Sequence, residues 1–337
     1  MGIRYLNKLL KTKCGKSICT LHLNKLRGKT IVVDTSIYMY KFEGAGSLME
    51  GMYSMLNLFN HYCIDAIFVF DGKPPPEKAC LLQQRKNMKS EYGKQMKALN
   101  EKLTNASSDE GCSNVEISAA DKQTLILLNK QCATINKQKC ENVKNLITSF
   151  GMRYCVANGE ADKICASFVI NNLAWACLSD DTDMFVYSCP RVLRYFSVLN
   201  HSAVLYNFNG ILEELMMTPT DFKKMCILSG TDYNLTCNNS SAECGTCTNL
   251  SSTDLAEMVV TPLQLWEQFT NGNHVRDSAR NFDDLVGEYS TMSIAQISSI
   301  MGMFDCSVND LCKLSDKNEI SREGIMGIMT DHDFVFV

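Results

Sequence analysis

The chain has 337 residues, 45% hydrophobic and 21% charged, enough for one large core or a core with a smaller appended unit. Its apolar runs fall far short of the ~18 residues of a membrane span. The start MGIRYLNKLL lacks the apolar stretch and small-residue cleavage site of a secretory leader, so neither a membrane protein nor a secreted one is expected. The net charge of −4 conceals an asymmetry: residues 1–150 hold 22 basic and 13 acidic residues, the remainder 11 and 24, and residues 1–33 carry eight Lys/Arg and no acid. A basic half on an acidic chain suits a face made for a polyanion, although solvated helix faces alone would give the same charge count.

Short apolar, β-branched runs predict strands at 30–33, 66–70, 152–156, 174–178 and 192–196, with helical-period segments between several of them. Continuous apolar strands alternating with helices predict an α/β fold with a mostly parallel sheet covered on both faces. A carboxylate follows almost every strand. Asp34 ends the first run and Asp71 the second; Glu160 and Asp162 open the helix after the third; Asp181 and Asp183 follow the fourth. A seventh, Asp232, follows a helix begun at Thr218-Pro219 and stopped at Gly230. Ligand sites in open parallel sheets form beyond the carboxyl ends of the strands, so these acids should converge. Such a cluster repels itself unless cations cancel the charge, and hard divalent ions with oxygen ligands do so. The competing explanation is helix capping, which is the better one for any single Asp and the weaker one for the whole set.

Asp71 opens DGKPPPEKACLLQQRKNMK, where the prolines end the strand and a helix can begin near Glu77. Lys78 and Arg85, seven apart, share one helix face, and Lys86 and Lys89 follow. Residues 104–114 are polar and turn-rich, so 72–148 reads as a helical insertion between two strands, too long for an ordinary crossover. A plain surface hairpin of helices is the alternative.

Seventeen cysteines, scattered singly as at Cys63, Cys165, Cys177 and Cys226, read as reduced thiols acting as small apolar residues in a reducing intracellular compartment. Met39, Met49, Met52 and Met55 read as core residues. Cys237, Cys244 and Cys247 offer three thiols without the fourth ligand of a zinc site, so a loop is expected there.

Taken together, MGI…LL, VVDTSIYMYKF, FVFDGKPPPEK, GMRYCVANGEADKICASFVI, LSDDTDMFVY and ILSGTDY resemble the flap endonuclease family of XP-G-type 5′ nucleases, in order and spacing, over residues 1–235. The resemblance implies a nuclease core over 1–235, with 72–148 as the gateway for a single-stranded 5′ end, and a divergent, mainly helical region over 236–337. It implies two Mg²⁺ per chain, with Mn²⁺ able to stand in, held by Asp34, Asp71, Glu160, Asp162, Asp181, Asp183 and Asp232. Asp162 stands where the family has Glu. Lys78 and Arg85 match the basic pair over the scissile phosphate, Tyr40 the base-stacking aromatic, and Gly2 the small residue that follows the initiator methionine. The implied substrate is branched or 5′-ended DNA, cut by a monomer at a nuclear or cytoplasmic replication site.

Two features depart from the family pattern. After Asp232 the sequence YNLTCNNSSAECGTCTNLSS lacks the glycine-rich hairpin expected to hold duplex phosphates and potassium. The tail DHDFVFV has no clamp-binding motif. A shortened member, of the kind large DNA viruses encode, has this outline. Of the other functions, a haloacid-dehalogenase-type phosphatase would need Thr or Val where Phe185 stands, and a silent DNA-binding scaffold would have no physical need for seven converging charges. A related nuclease acting on RNA stays open, since no residue here reads a 2′-hydroxyl.

Overall fold

All five predicted strands form, in a computed structural model that describes residues 2–108, 119–233, 261–275, 292–306 and 312–336. They are β2 (Thr30–Asp34), β3 (Asp65–Phe70), β4 (Arg153–Val156), β5 (Ala176–Leu178) and β6 (Arg191–Ser197). Two more were not predicted, β1 (Ile18–His22) and β7 (Ser202–Asn207). The seven lie in the order β1-β7-β6-β5-β2-β3-β4, with β6, β5, β2, β3 and β4 parallel and β7 antiparallel to both β6 and β1. The chain leaves β2 towards β3 and β4, then returns to add β5 on the other side of β2. That reversal opens a crevice at the carboxyl ends of β2 and β5.

The continuous apolar runs follow from burial on both faces. In β2, Val32 enters one core while Ile31 and Val33 enter the other; in β3, Ile67 and Val69 are divided from Ala66, Phe68 and Phe70 in the same way. One face is covered by α1 (Leu6–Lys13), α7 (Ala161–Ile170), α8 (Asp183–Val186), α9 (Phe208–Leu215) and α10 (Pro219–Leu228), joined by α11 (Pro262–Val275) and α12 (Ile294–Met303). The other is covered by α2 (Thr35–Gly44), α3 (Leu48–His61), α6 (Lys137–Ser149) and α13 (Arg322–Thr330). Each fully buried large side chain, such as Phe59 or Leu9, contributes about 1.5–3 kcal/mol. Met39, Met49, Met52 and Met55 are buried in the second core, as expected. Helix starts are capped locally: Thr218 accepts from the Asp221 N–H ahead of Pro219, and Ser293 and Gln296 form a reciprocal capping box.

The insertion contains α4 (Ala79–Ser108) and α5 (Ala119–Cys132). Of residues 104–114, expected in a loop, 104–108 continue α4, because nothing there breaks a helix as Pro would, and 109–114 lie outside the described residues. α6 buries Val143, Leu146 and Ile147 in the sheet's second core, so the stretch after Lys137 is the crossover helix that delivers the chain to β4. Residues beyond 236 share both cores, through Leu265, Phe269, Ile297 and Ile300 on one face and Ile325 and Met329 on the other. The segment following Tyr233 through 260, which includes the stretch that departs from the family pattern and Cys237, Cys244 and Cys247, lies outside the described residues.

The all-thiol reading needs correction. Cys155 and Cys312 form a disulfide, with Cα atoms 6.1 Å apart. Segment 312–321 lies along β4, where the Ser315 N–H donates to the Tyr154 carbonyl at 2.8 Å, and this pairing brings the two cysteines together. Among the described free cysteines, Cys14, Cys165, Cys177, Cys189 and Cys226 are buried, whereas Cys63 is exposed. No helix among the described residues is long and apolar enough to cross a membrane.

The same strap supplies an ion pair. Asp65 accepts from Arg153 at 2.8 Å and from Lys317 at 3.1 Å. Burial raises the Asp65 pKa, but Lys317 and Arg153 outweigh it and hold the carboxyl below its usual range. A carboxylate depressed in the folded state stabilises the fold above its unfolded pKa, about 4, and loses that contribution as the pH falls through its folded value. Asp65→Asn is therefore expected to cost about 1 kcal/mol at pH 7, with the gap to wild type narrowing as the pH falls below about 4. Urea unfolding at pH 7 and across the acid range checks this, and a gap that stays constant would refute it.

Candidate active site

The carboxyl edge of the sheet gathers every predicted acid. Asp34 ends β2, Asp71 follows β3, Glu160 and Asp162 begin α7 after β4, Asp181 and Asp183 follow β5, and Asp232 follows α10. All seven line one cavity of about 730 Å³, together with Tyr40, Lys78, Arg85, Lys86 and Lys89. Asp34, Asp181 and Asp183 are almost completely buried.

Capping does not account for Asp34 or Glu160. Asp34 and Glu160 occupy the positions preceding α2 and α7, yet neither side chain caps its helix. Asp34 instead accepts from the Ser179 hydroxyl at 3.1 Å. Asp71 accepts from the Ala161 N–H at 2.8 Å, tying the β3 end to the start of α7. Gly72 belongs to this join: its N–H donates to the Gly159 carbonyl at 2.7 Å, and a Cβ there would collide with the Ala157 carbonyl. Asp181 accepts from the Asp183 N–H at 3.0 Å. Asp183 Oδ1 is buried with no hydrogen-bond partner.

Burial raises the pKa values of the central acids first, and their mutual repulsion raises them further. Asp34 is pushed up to about 7 by burial and the charges of Asp71 and Asp181. Asp162 and Asp183 are also raised well above the carboxylate range, by burial and then by their acidic neighbours. Lys78 offsets the charge of this cluster only in part. Its donors are all oxygen and one buried carboxylate oxygen has no partner, so the set fits a hard divalent cation. As the side chains stand, no three His, Cys, Asp or Glu among the described residues form a ready metal-binding group.

Cations cover the outer rim. Lys78 lies in the short turn Pro76–Lys78 that leads into α4, and its ammonium reaches Glu160 at 2.7 Å and Asp232 at 3.7 Å. Arg85, one face along, meets the same Asp232 at 3.0 Å. The basic pair expected over a phosphate is thus engaged with the acids of the cavity. Burial lowers the Lys78 pKa, but Glu160 outweighs it and keeps the ammonium charged. Lys89 stands 4.9 Å from the centre of the Tyr40 ring and donates to the Ala133 carbonyl at 2.8 Å, bracing α4 against the turn after α5. Gly2, at φ +81°, packs so closely on Asp181, Thr182 and Asp183 that any Cβ would collide with them.

Sequence reading missed two members of the site. Ser179 links Asp34 to the Asp181 N–H, and Tyr233 donates to Glu160 at 2.7 Å while its ring lies 4.6 Å from the Lys78 ammonium. Tyr233 adjoins Asp232 within ILSGTDY, which was the available signal. Tyr233→Phe is expected to leave the fold intact and to raise the midpoint of a Mg²⁺ titration severalfold, because Glu160 loses the donor that orients it, an effect of the size seen for outer-shell partners, about 10-fold at the lower end. An unchanged midpoint would remove Tyr233 from this role.

The fold and cavity define a class: a doubly wound sheet whose carboxyl edge carries an acid cluster beneath a basic helix. Two family models match, the XPG N-terminal domain over residues 1–92 and the XPG I-region over 151–232, together more than half of the chain. All seven acids fall within the matched segments, and α5 falls between them. Among curated proteins, rice flap endonuclease 1-A is 30% identical over 252 residues, and Entamoeba histolytica flap endonuclease 1 is 29% identical over 254. Each match covers 69% of this chain and 62% of the relative, so the chain spans less than two thirds of those proteins. Among solved structures, flap endonuclease-1 from Methanococcus jannaschii matches with a TM-score of 0.59 at 20% identity, covering 99% of this chain and 94% of that one. Human GEN1 in complex with Holliday junction DNA matches with a TM-score of 0.59 at 16% identity, covering 99% and 74%. The chain belongs to the XPG-type flap endonuclease family.

Proposed function

We propose that the chain is a structure-specific 5′ nuclease that hydrolyses DNA phosphodiester bonds at 5′ flaps or 5′ ends, in replication, repair or recombination. The observation that carries this reading is the convergence of seven carboxylates and the Lys78–Arg85 pair on one cavity. The flap endonuclease relatives support it, as does the Holliday junction DNA held by human GEN1, which has a similar fold.

Asp34, Asp71, Glu160, Asp162, Asp181, Asp183 and Asp232 are the residues that would hold Mg²⁺, two ions by the family's pattern. Bound there, the ions would supply Lewis acidity for the attacking water and offset charge on the phosphate. The chain's own residues do the rest. The water oxygen attacks phosphorus, the bond to the 3′ oxygen breaks, and that oxygen leaves with a proton, so one product ends in a 5′-phosphate and the other in a 3′-hydroxyl. Lys78 and Arg85 exchange their carboxylate partners for the phosphoryl oxygens and stabilise charge as it builds there. Tyr40, 43% exposed on the cavity wall, offers its ring to an unpaired base, and Lys86 and Lys89 hold backbone phosphates on α4.

The test is cleavage of a 5′-flap DNA and of the matching single strand, with Mg²⁺ and with chelator, alongside Asp181→Ala. Metal-dependent cutting near the junction, lost in the variant, is the expected result. Intact binding without cutting of any branched or 5′-ended DNA would replace the nuclease by a DNA-binding scaffold.

A further inference from the structure

Helix α1 needs Leu6, Leu9 and Leu10 for the core and leaves Lys8 and Lys11, three apart on one side, exposed; Arg4 and Tyr5, which lead into the helix, are exposed as well. Tyr5 is 60% exposed at φ 60°, a left-handed conformation that a bulky residue holds only under strain. In β6, Tyr195 repeats the pattern, at φ 54° and partly exposed. The Lys11 ammonium lies 4.7 Å from the centre of the Tyr195 ring, and the Arg194 guanidinium 5.1 Å. The acid beside them is already occupied: Asp180 accepts the Tyr195 N–H at 2.7 Å and faces Lys41 at 3.6 Å. The stripe adjoins the acid-lined cavity through Gly2, three residues before Tyr5, and through Asp180, next to Asp181.

Exposed rings set among cations, with no acid in the first 33 residues, match a polyanion that also carries flat apolar faces. We infer that this stripe is a second binding track, which takes an unpaired nucleic-acid strand where it meets the cavity. Tyr5 stacks on a base. Lys8 and Lys11 take backbone phosphates, Lys11 being held in place by the Tyr195 ring. The strain at Tyr5 is kept because a glycine, which would relieve it, has no ring. The inference rests on the nuclease reading for its substrate, and its test separates the two.

Fluorescein-labelled single-stranded oligothymidine is titrated in chelator, so that cleavage plays no part, and binding is read by anisotropy for wild type, Tyr5→Gly, Tyr5→Phe and the pair Lys8→Gln/Lys11→Gln. Tyr5→Gly should melt at a higher temperature than wild type and bind at least about fivefold more weakly, the lower end for one stacked base. Tyr5→Phe should bind as wild type does, since stacking does not need the hydroxyl. The lysine pair should lower the salt dependence by about one unit of slope or more. Unchanged affinity in Tyr5→Gly, or equal losses in Tyr5→Gly and Tyr5→Phe, would overturn the track. Flap cleavage with Mg²⁺ is measured in parallel. Cleavage kept with binding independent of Tyr5 sinks the track alone, and cleavage absent with binding dependent on Tyr5 sinks the nuclease reading alone.

Discussion

Lys78→Ala is expected to slow single-turnover cleavage of a 5′-flap DNA by about 10²–10³-fold, the loss typical of removing one charge-stabilising donor from a water-poor site. Flap binding should fall much less. Of the described cationic side chains lining the cavity, Lys78 alone is buried, and it pairs with Glu160 and Asp232 while lying over the Tyr233 ring. Its charge is therefore held in place before substrate arrives, and little reorganisation is needed when a phosphate replaces the carboxylates. Arg85 is about half exposed and, among the described residues, pairs with Asp232 alone, so Arg85→Ala should cost less in the chemical step and more in salt-dependent binding. Lys78→Arg should not restore the rate, because a planar guanidinium does not fit a pocket shaped around a compact ammonium. Rapid-quench kinetics in excess enzyme checks the series, and a Lys78→Ala rate within a fewfold of wild type would remove Lys78 from the chemistry.

The acids were legible in the sequence because their positions follow from sheet architecture: a parallel strand ends where its apolar run ends, and the next carboxylate then stands at the ligand-binding edge. Asp34 after TIVV and Asp71 after AIFVF needed nothing further. Strands β1 and β7 escaped because ICTLH and SAVLYN mix polar residues into short runs and gain their strand character from antiparallel pairing with each other and with β6, which is a tertiary effect. The role of α6 was obscured by its polar sequence KQKCENVKNLITS, in which only Val143, Leu146 and Ile147 mark the buried side. The Cys155–Cys312 pairing was out of reach because 157 residues separate its partners and the strap that joins them has no periodic pattern. Tyr233 was visible as a residue and not as a partner: only the folded chain shows that the group after Asp232 turns back to Glu160.

Asp183→Asn should abolish flap cleavage and yet stabilise the protein in chelator by about 1–3 kcal/mol, the cost of leaving a buried polar group unsatisfied. Asp183 is 4% exposed and its Oδ1 has no partner. Burial, then the charges of Asp181 and Asp232, oppose its ionised form, and Lys78 compensates only in part. Asparagine removes the charge and places a donor beside the Asp181 carboxylate. Mg²⁺ should act in the opposite order. By binding the folded state it should raise the wild-type melting temperature in proportion to ln(1 + [Mg²⁺]/Kd), while Asp183→Asn, with one ligand charge gone, should gain much less. The discriminating comparison is thermal unfolding of both proteins with chelator and across a Mg²⁺ series. If the variant is less stable than wild type in chelator and gains as much from Mg²⁺, the cluster is not a cation site and its buried charge has another cause. If the two curves cross, the instability of the bare site and its affinity for the ion have one origin. Repulsion among carboxylates held together by the sheet edge lowers the stability of the metal-free fold, and the same repulsion, relieved on binding, adds to the affinity for a divalent ion.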